Sequence, residues 1–473
     1  MRNKFAVFWI WLCLLPLAFD LKGVKMANRT VDILLTVTSM GAACAILLIA
    51  PRFARRSRMR ALVTSLFLLT IFGSVATQLL QGNEAGNYAR VILPFLLMLL
   101  GYFVGCRPWD AQRIEQIERA LTGAMIASLV FSVGFDIAIS DGTGNVSIHA
   151  VPVTFLCLQG LLLHEFVFAQ RITKFAALIF LATLVIEILC ATPSLLVGTV
   201  LLIAYATWLA APSIRLFFTT GLRAVVILAL LGAMAAASAT FFPTVAQQWV
   251  QYIPFAKDAP PARDPVAIAR LAEMKDQVDQ TTSSTLSTMV GMGYGHDYRY
   301  SPSYLPDLAG LISEKDFYAI RKWAAGRDFW VYQFFAGGLL FGLALPLAVL
   351  WALWRGSMAY RAWRHRAPDA PHLPVLGRAL FVLAALPATS IGGNPLGDRF
   401  SGVVFGVALG LVVASYARIA HTMQIRAAEA AGHRPPPRPP WFGTPPDMRP
   451  PGEPLPEILP ANPPRASGTL PAR

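Results

Sequence analysis

Charged residues are scarce in this chain of 473 residues. Asp, Glu, Lys and Arg make up only 14% of it, whereas a soluble domain usually carries about 25%. Hydrophobic residues make up 55%, and the mean hydropathy is +0.54. The lack of charge excludes a single soluble globular protein and excludes disorder over most of the length. It is typical of a polytopic membrane protein, whose lipid-facing surface must also be apolar.

Cysteine is also scarce, and its arrangement excludes two common uses. The five cysteines form no Cys-x-x-Cys pair and no cluster with histidine, so neither a disulfide framework nor a zinc site is indicated. All lie in apolar runs, where cysteine is usually a small buried hydrophobe: Cys13, Cys44, Cys106, Cys157 and Cys190. The chain also lacks a P-loop, which argues against ATP-driven chemistry.

Long apolar runs are what the sequence has in abundance. Apolar runs of about 17–25 residues predict membrane helices. We identify twelve candidates, of which the first and the eleventh are short: 5–19, 31–50, 61–80, 91–106, 121–138, 151–169, 175–191, 195–211, 224–242, 329–354, 379–391 and 400–416. The first could instead be a cleaved signal peptide, because Arg2 and Lys4 precede it, but residues 16–20 form a poor cleavage site. We favour an uncleaved helix.

The distribution of basic residues predicts the orientation of these helices. With the N-terminus in the cytoplasm, the short inner loops carry 17 Lys and Arg and the short outer loops carry 5, as the positive-inside rule requires. The inner loops are 51–60, 107–120, 171–174, 213–223 and 355–378. This asymmetry accounts for most of the net charge of +14, so we expect the basic residues to lie beside lipid headgroups and we expect no nucleic-acid partner.

The same topology divides the chain into four parts. Residues 1–242 carry the first nine helices, 243–328 form one long outer loop between the ninth and tenth helices, and 329–424 carry the last three. Residues 425–473 form a tail in which 15 of the 35 prolines lie within 433–473. That composition predicts a disordered cytoplasmic segment. The predicted fold class is therefore an all-α polytopic membrane protein of about twelve helices, with both termini cytoplasmic.

The outer loop holds most of the residues that suggest chemistry. Residues 266–280 have helical apolar spacing and predict an amphipathic helix lying on the membrane, with Arg263 and Arg270 on or near it. A second short helix is expected at 314–325. Between them, Gly291, Gly293 and Gly295 alternate, which lets a backbone turn tightly and approach a ligand closely. A plain turn is the simpler interpretation of that motif alone.

Ionisable residues follow this glycine motif on the same outer segment: His296, Asp297, Arg299, Arg327 and Asp328. Arginine binds phosphate oxygens through two parallel hydrogen bonds, and a carboxylate or histidine can accept the proton of a sugar hydroxyl. An enzyme that uses a lipid pyrophosphate donor needs both functions at the boundary between water and lipid.

One acidic residue is expected inside the membrane near its outer side. Glu187 lies in the seventh predicted helix, where an ionisable group is costly and is often functional. It is the one good candidate for the midplane charge that a transporter needs. We find no internal repeat in the chain, which weakens the transporter hypothesis without removing it.

Taken in order, these features resemble the O-antigen polymerase and O-antigen ligase family of bacterial inner membranes. The resemblance covers nearly the whole chain except the proline-rich tail. Its motifs are RLAE at 270–273, GMGYG at 291–295, the re-entry segment RDFWVYQFFAGGLLFG at 327–342 and the outer turn SIGGNP at 390–395. Many ligases have His-Asn where this chain has Arg327-Asp328, and many members carry an arginine where residues 191–194 have none. The first departure favours a polymerase over a ligase.

The resemblance implies a GT-C-like glycosyltransferase that needs no cofactor, nucleotide sugar or metal. Its donor would be a polyprenyl-pyrophosphate-linked oligosaccharide, its acceptor a glycan, and its product a surface polysaccharide made at the periplasmic face of the inner membrane. Asp328 or His296 would activate the acceptor hydroxyl. Arg270 would be the main pyrophosphate contact. The other candidate substrate-binding residues are Arg90, Arg263, Arg299, Arg327, Gly291, Gly293 and Gly295, and Glu187 is added because of its position inside the membrane. Implied further partners are membrane lipids, a chain-length regulator and export proteins. A ligase and a lipid-linked glycan flippase remain the alternatives.

Overall fold

The structure is a computed structural model. It describes residues 2–19, 29–50, 57–139, 151–169, 173–190, 192–211, 265–308 and 312–430, together with Arg215 and Phe218. The described residues are helical apart from connecting turns and one isolated antiparallel bridge between Tyr298 and Lys322. The ninth predicted helix at 224–242, Arg263 and the tail beyond 430 lie outside them.

Eight helices precede the outer segment. They are α1 Arg2–Leu14, α2 Arg29–Ile49, α3 Arg58–Gln81, α4 Ala85–Gly105, α5 Ala111–Ile139, α6 Pro152–His164, α7 Lys174–Leu189 and α8 Pro193–Ala210. A 3₁₀ turn extends α1 over Leu15–Phe19, and a π-helical turn extends α6 over Glu165–Ala169. These eight helices confirm the helical character of the first eight predicted apolar runs.

Eight further helices follow, several of them short. They are α9 Pro265–Thr282, α10 Thr285–Val290, α11 Leu305–Leu308, α12 Glu314–Ala319, α13 Phe329–Gly337, α14 Ala344–Arg366, α15 Leu373–Ser390 and α16 Ser401–Ala430. The helix predicted at 314–325 was too long. It ends at Ala319, because Lys322 leaves the helical path to exchange backbone hydrogen bonds with Tyr298 at 2.8 and 2.9 Å.

Five of these helices, α3, α4, α5, α15 and α16, are long and apolar enough to cross a membrane. The chain is therefore a multi-pass membrane protein in its described part. A sixth crossing results if α13 and α14 are counted as one broken span. The total of twelve spans and the direction of each remain predictions.

The predicted span at 329–354 is not one continuous helix in the structure. The segment bends by 82° between α13 and α14, around a π-helical turn at Gly338–Gly342. Gly338 has φ +62°, and a Cβ built there would lie 2.5 Å from the backbone of Met289. The bend thus depends on a close backbone contact with α10, which a larger residue at position 338 would prevent.

The centre of the bundle is the packing of α16 against α4. Gly402, Gly406 and Gly410 recur every fourth residue on α16, so they lie on one face of that helix. A Cβ built at Gly410 would lie 2.5 Å from the carbonyl oxygen of Tyr102 on α4. The two backbones are therefore in direct contact, which is the arrangement that small residues at four-residue spacing allow in membrane helices.

Candidate functional site

A polar stripe on α9 is the starting point of the site. Arg270, Glu273, Gln277 and Thr281 recur at intervals of three or four residues, so they share one face of the helix. Glu273, Gln277 and Thr281 are buried, and α9 packs against α13. The helix at 265–282 confirms the predicted one, but its interior-facing side carries polar groups. Buried polar groups of this kind are kept where they bind other polar groups.

Glu273 is the best-connected residue of this stripe. One carboxylate oxygen accepts a hydrogen bond from Lys322 Nζ at 2.9 Å, and the other accepts one from the Arg327 backbone N–H at 2.9 Å. The guanidinium Nε of Arg327 lies 4.0 Å from the carboxylate. The Glu273 side chain is 2% exposed and that of Lys322 is 26% exposed. Glu273 therefore anchors two cationic residues of the segment that leads into α13.

Next to this carboxylate is a cavity of about 340 Å³, whose lining residues are Glu273, Tyr298, Arg321, Lys322, Trp323, Ala324, Ala325 and Arg327. Three of them are cationic and one is anionic. The guanidinium of Arg90 lies over the Trp323 ring, 5.3 Å from its centroid, and so adds a fourth cation at the wall of the cavity. A cavity with these walls suits an anionic ligand that also has an apolar or sugar face.

Tyr298 closes one side of the cavity. Its hydroxyl donates to the carbonyl oxygen of Ala324 at 3.0 Å. Burial, reinforced by the nearby Glu273 carboxylate, raises the pKa of Tyr298. The phenol is therefore a neutral hydrogen-bond donor at physiological pH and does not serve as a base.

The glycine motif forms the support of this site. Gly291, Gly293 and Gly295 have φ values of +83°, +97° and +80°, a conformation that strains other residues. The backbone N–H groups of Met292 and Gly293 donate to the carbonyls of Phe335 and Ala336 at 2.8 and 3.0 Å. The motif therefore docks on α13. The backbone N–H groups of Gly291, Met292 and Gly293 are used within the protein, so the structure gives this motif a positional function.

The turn between α3 and α4 holds the motif from the other side. Asn83 Nδ2 donates to the carbonyl of Met292 at 2.8 Å, and Gln81 Nε2 donates to that of Gly291 at 3.1 Å. Thr77 Oγ1 donates to the carbonyl of Val290 at 2.9 Å. These contacts fix the outer segment to the first half of the bundle.

His296 is positioned by the same turn. Its Nδ1 lies 2.6 Å from Oδ1 of Asn83. Because Nδ2 of Asn83 donates to Met292, Oδ1 is the acceptor, and Nδ1 of His296 must carry the proton. The Nε2 atom of the neutral ring is then an acceptor. Burial lowers the pKa of His296, although Asp297 and Asp276 oppose the shift, so the ring is neutral near pH 7.

Asp328, the second predicted base, is the N-cap of α13. Its Oδ1 accepts a hydrogen bond from the Val331 backbone N–H at 2.9 Å. Capping by an aspartate at the start of a helix explains this residue without a catalytic function. The geometry therefore favours His296 over Asp328 as the base, and the choice remains a prediction.

Arg270 joins α9 to the outer turn that follows α15. Its guanidinium donates to the backbone carbonyls of Gly392 and Ile391. Its Nε is buried and has no hydrogen-bond partner within the described residues. Two of its donors thus hold the turn at 390–395 against the outer segment. The predicted pyrophosphate contact stays a prediction, and the structure adds a positioning function.

The other predicted arginines are distributed around the outer segment. Arg327 lines the cavity and Arg90 borders it. Arg299 is exposed, and its backbone N–H donates to Asp276 Oδ2 at 2.8 Å. The structure therefore brings Arg90 and Arg327 together, does not place Arg299 on the cavity wall, and does not describe Arg263.

Glu187 belongs to a separate polar cluster inside the bundle. Thr199 Oγ1 lies 2.8 Å from one of its carboxyl oxygens, and Gln159 Nε2 donates to the other at 3.0 Å. Glu187 is fully buried, and these partners on α6 and α8 are neutral. It does not line the cavity of the outer segment. The predicted substrate contact at Glu187 thus belongs to a polar cluster that is distinct from the residues lining the cavity.

Six residues of the site were not identified from the sequence: Asn83, Glu273, Tyr298, Arg321, Lys322 and Trp323. Glu273 could have been identified from the sequence. It lies three residues after Arg270 and four before Gln277, so the three polar residues share one face of the helix. Asn83, Lys322 and Trp323 had no comparable signal, since their function depends on which distant segments meet.

Comparison with models of known protein families finds no match for this chain, and comparison with curated protein sequences finds none either.

Proposed function

We propose that this chain is a membrane glycosyltransferase that joins lipid-linked oligosaccharide repeat units into a polysaccharide at the outer face of a bacterial inner membrane. The observation that carries the proposal is the cavity beside Glu273, in which Arg321, Lys322 and Arg327 meet Trp323. It combines cations for a pyrophosphate with an aromatic ring for a sugar.

The cationic residues of the cavity would stabilise the leaving group of the reaction. Glycosyl transfer from a lipid pyrophosphate builds negative charge on the leaving phosphate oxygens. Arg321, Lys322 and Arg327 would stabilise that charge, as fixed cations do in low-dielectric sites. Glu273 holds Lys322 and Arg327 in place through the contacts described above, so it is a positioning residue in this mechanism.

His296 supplies the proton acceptor. The acceptor sugar hydroxyl would give its proton to His296 Nε2, and its oxygen would form a bond to the anomeric carbon of the donor. The bond from that carbon to the pyrophosphate oxygen breaks, and the pyrophosphate leaves on its lipid. The rings of His296 and Tyr298 lie 6.0 and 5.8 Å from that of Phe335, so both residues pack beside the same aromatic ring, although His296 is not among the residues that line the cavity. Asp328 remains the alternative base.

Buried polar atoms beside the cavity offer contacts for sugar hydroxyls or water. Both side-chain polar atoms of Gln277 are buried without a hydrogen-bond partner in the described part of the chain. A Cβ built at Gly326, between two cavity-lining residues, would lie 2.6 Å from Gln277 Nε2 and 3.0 Å from the Tyr332 ring. These groups therefore adjoin the cavity.

A deletion strain tests the proposal. Lipid-linked oligosaccharides and surface glycan are sized together from the deletion strain and from the strain complemented with the full chain. Single repeat units that accumulate on the carrier at the outer face, with long glycan lost, support the polymerase. Long glycan retained on the carrier supports a ligase instead.

A flippase is the second candidate, and the cluster around Glu187 favours it. A buried acid with neutral partners on neighbouring helices, together with the broken pair α13 and α14, matches features of membrane transporters. Repeat units that accumulate only at the inner face of the deletion strain would support this candidate and refute glycosyl transfer by the outer segment.

A further inference from the structure

Three buried side chains on α6, α7 and α8 form a closed ring of polar contacts inside the bundle. Thr199 Oγ1 lies 2.8 Å from Glu187 Oε1 and 2.7 Å from Gln159 Oε1. Gln159 Nε2 closes the ring at 3.0 Å from Glu187 Oε2. All three residues are fully buried, and none of them lines the cavity beside Glu273. The ring is therefore separate from the proposed glycosyltransferase site.

The donors of the ring determine how many protons it holds. A threonine hydroxyl has one proton, and a glutamine amide donates only through its nitrogen. The Thr199 proton can therefore serve only one of the two short contacts of its oxygen. It is donated to Gln159 Oε1, because an amide oxygen cannot donate in return. The contact between Thr199 Oγ1 and Glu187 Oε1 then lacks a proton unless the carboxyl group carries one.

Turning the Gln159 amide by 180° does not remove this requirement. The turned amide has nearly the same shape, with its nitrogen and oxygen exchanged. The nitrogen would donate to Thr199, whose hydroxyl could then donate to Glu187 Oε1. The amide oxygen would instead face Glu187 Oε2 across the 3.0 Å contact, and two acceptors at that distance again need a proton between them. Both orientations of the amide thus assign one proton to the Glu187 carboxyl group.

The surroundings supply no cation that would keep the carboxyl group ionised. The other charged or histidine side chains on α6 with its π-helical extension, on α7 and on α8 are His164, Glu165 and Lys174. Lys174 begins α7, about 20 Å before Glu187 by the helical rise. Among the described residues no charged group acts on Glu187. An ionised carboxyl group that is buried without a cation is costly, so burial also favours the neutral acid.

We propose that Glu187, Gln159 and Thr199 form a proton-binding site inside the bundle, and that the proton is bound at neutral pH. Glu187 carries this proton and donates it to the Thr199 hydroxyl, which donates its own proton to Gln159. The amide nitrogen of Gln159 donates to the second carboxyl oxygen and completes the ring. The site is outside the proposed glycosyl-transfer machinery, so its test is independent of that proposal.

Infrared spectroscopy of the purified, delipidated full-length protein tests the proposal at neutral pH, in a detergent without carbonyl groups. A protonated carboxylic acid has a carbonyl stretching band that a carboxylate lacks. We expect this band in the difference spectrum between the wild type and Glu187→Gln, whose amide resembles the neutral acid in shape. The matched control is Glu115→Gln, which removes an exposed carboxylate that pairs with Arg119. Its difference spectrum should lack the band.

Thr199→Val covers the case in which Glu187→Gln does not fold. It keeps the acid and nearly the same side-chain shape, but it removes the hydroxyl that accepts the proton, so the band should shift in frequency. Any of three results would overturn the proposal. They are a wild-type spectrum without a protonated-carboxyl band, a band that is unchanged in Thr199→Val, and loss of the band when sodium chloride replaces potassium chloride, which would indicate a metal cation as the occupant.

Discussion

The imidazole Nδ1 of His296 lies 2.6 Å from the side-chain oxygen of Asn83, across 213 positions of the chain. This contact fixes the tautomer of the histidine, because the amide nitrogen of Asn83 is already used by Met292. A ring protonated on Nδ1 leaves Nε2 as a proton acceptor. The Asn83–His296 pair therefore holds the histidine with its proton-accepting nitrogen free of Asn83.

Substitution of the two candidate bases separates them. His296→Gln should lower glycosyl transfer by about 10²–10⁴-fold, which is the usual contribution of a general base. Asp328→Asn should leave activity within a few-fold, because asparagine caps a helix about as well as aspartate. Polymer formation by membranes containing each variant at matched protein level provides the measurement. A loss of two or more orders of magnitude in Asp328→Asn, with His296→Gln active, would reverse the assignment.

The dependence of the glycosyl-transfer rate on pH should be set by the same histidine, His296. Burial holds the pKa of His296 below its usual value of 6.5, so the acidic limb of the rate should lie below pH 6.5. The folded protein also binds fewer protons at this site than the unfolded chain. Stability should therefore decrease as pH falls from about 6.5 toward the lowered folded pKa, and His296→Gln should lack this contribution.

A negative charge placed at position 83 should shift the acidic limb of the pH–rate profile to higher pH. Asn83→Asp places a carboxylate beside Nδ1 and raises the pKa of His296, so the acidic limb shifts to higher pH. The control is Asn87→Asp, which adds the same charge one helical turn further along the chain. Rates measured from pH 5 to 8 give the comparison, and equal shifts in both variants would show a general charge effect.

Removal of the Glu273 carboxylate should destabilise the outer segment. Glu273→Leu leaves Lys322 and the Arg327 backbone N–H without their acceptor. We expect a loss of about 2 kcal/mol, below the value for a fully buried pair because Lys322 is partly exposed. Thermal unfolding in detergent measures it, with Glu314→Leu on the exposed start of α12 as the control. Unchanged stability in Glu273→Leu would contradict the anchoring function.

A methyl group added where α4 packs against α16 should lower the stability of the protein. A Cβ at Gly406 would overlap the backbone of Met98, so Gly406→Ala should cost about 1–3 kcal/mol by overpacking. Gly134 on α5 has no atom within 4 Å of a built Cβ, and Gly134→Ala is the matched control. If both variants unfold at the same temperature, the close contact of the two backbones is not a source of stability.

Two substitutions of Glu187 distinguish a structural function of its side chain from a function in transport. Glu187→Gln keeps both a donor and an acceptor for Thr199 and Gln159, and Glu187→Leu keeps neither. Under the glycosyltransferase proposal, Glu187→Gln should make normal polymer, and only Glu187→Leu should unfold more readily. A well-folded Glu187→Gln protein that fails to support polymer formation would instead favour the flippase.

The sequence was most informative where an apolar run ends at a charge or a turn. The bounds of α3 follow from the arginines before it and from Gly82 after it, and the apolar face periodicity of 266–280 predicted α9 closely. The N-cap at Asp328 had a signal in the polar residue that precedes the apolar run of α13. These features are local, so composition and spacing are enough to predict them.

The remaining features depend on contacts between distant segments. The glycines at 337, 338 and 342 lie in the predicted re-entry segment, but its bend depends on the contact between Gly338 and the backbone of Met289. The cavity requires Glu273, Lys322 and Trp323 to converge from α9 and from the segment before α13. The bridge of Lys322 with Tyr298 likewise ended a helix that local spacing would have extended.

The backbone contact between α4 and α16 limits how the protein can move. Side chains that interdigitate loosely let packed helices slide past one another, but here peptide groups of one helix fill the grooves of the other along Gly402, Gly406 and Gly410. Sliding along this pair would bring Cα atoms onto carbonyl oxygens at every turn. Under the glycosyltransferase proposal, access of a lipid-linked substrate should therefore leave the α4–α16 pair intact, and any movement that admits it should involve other elements.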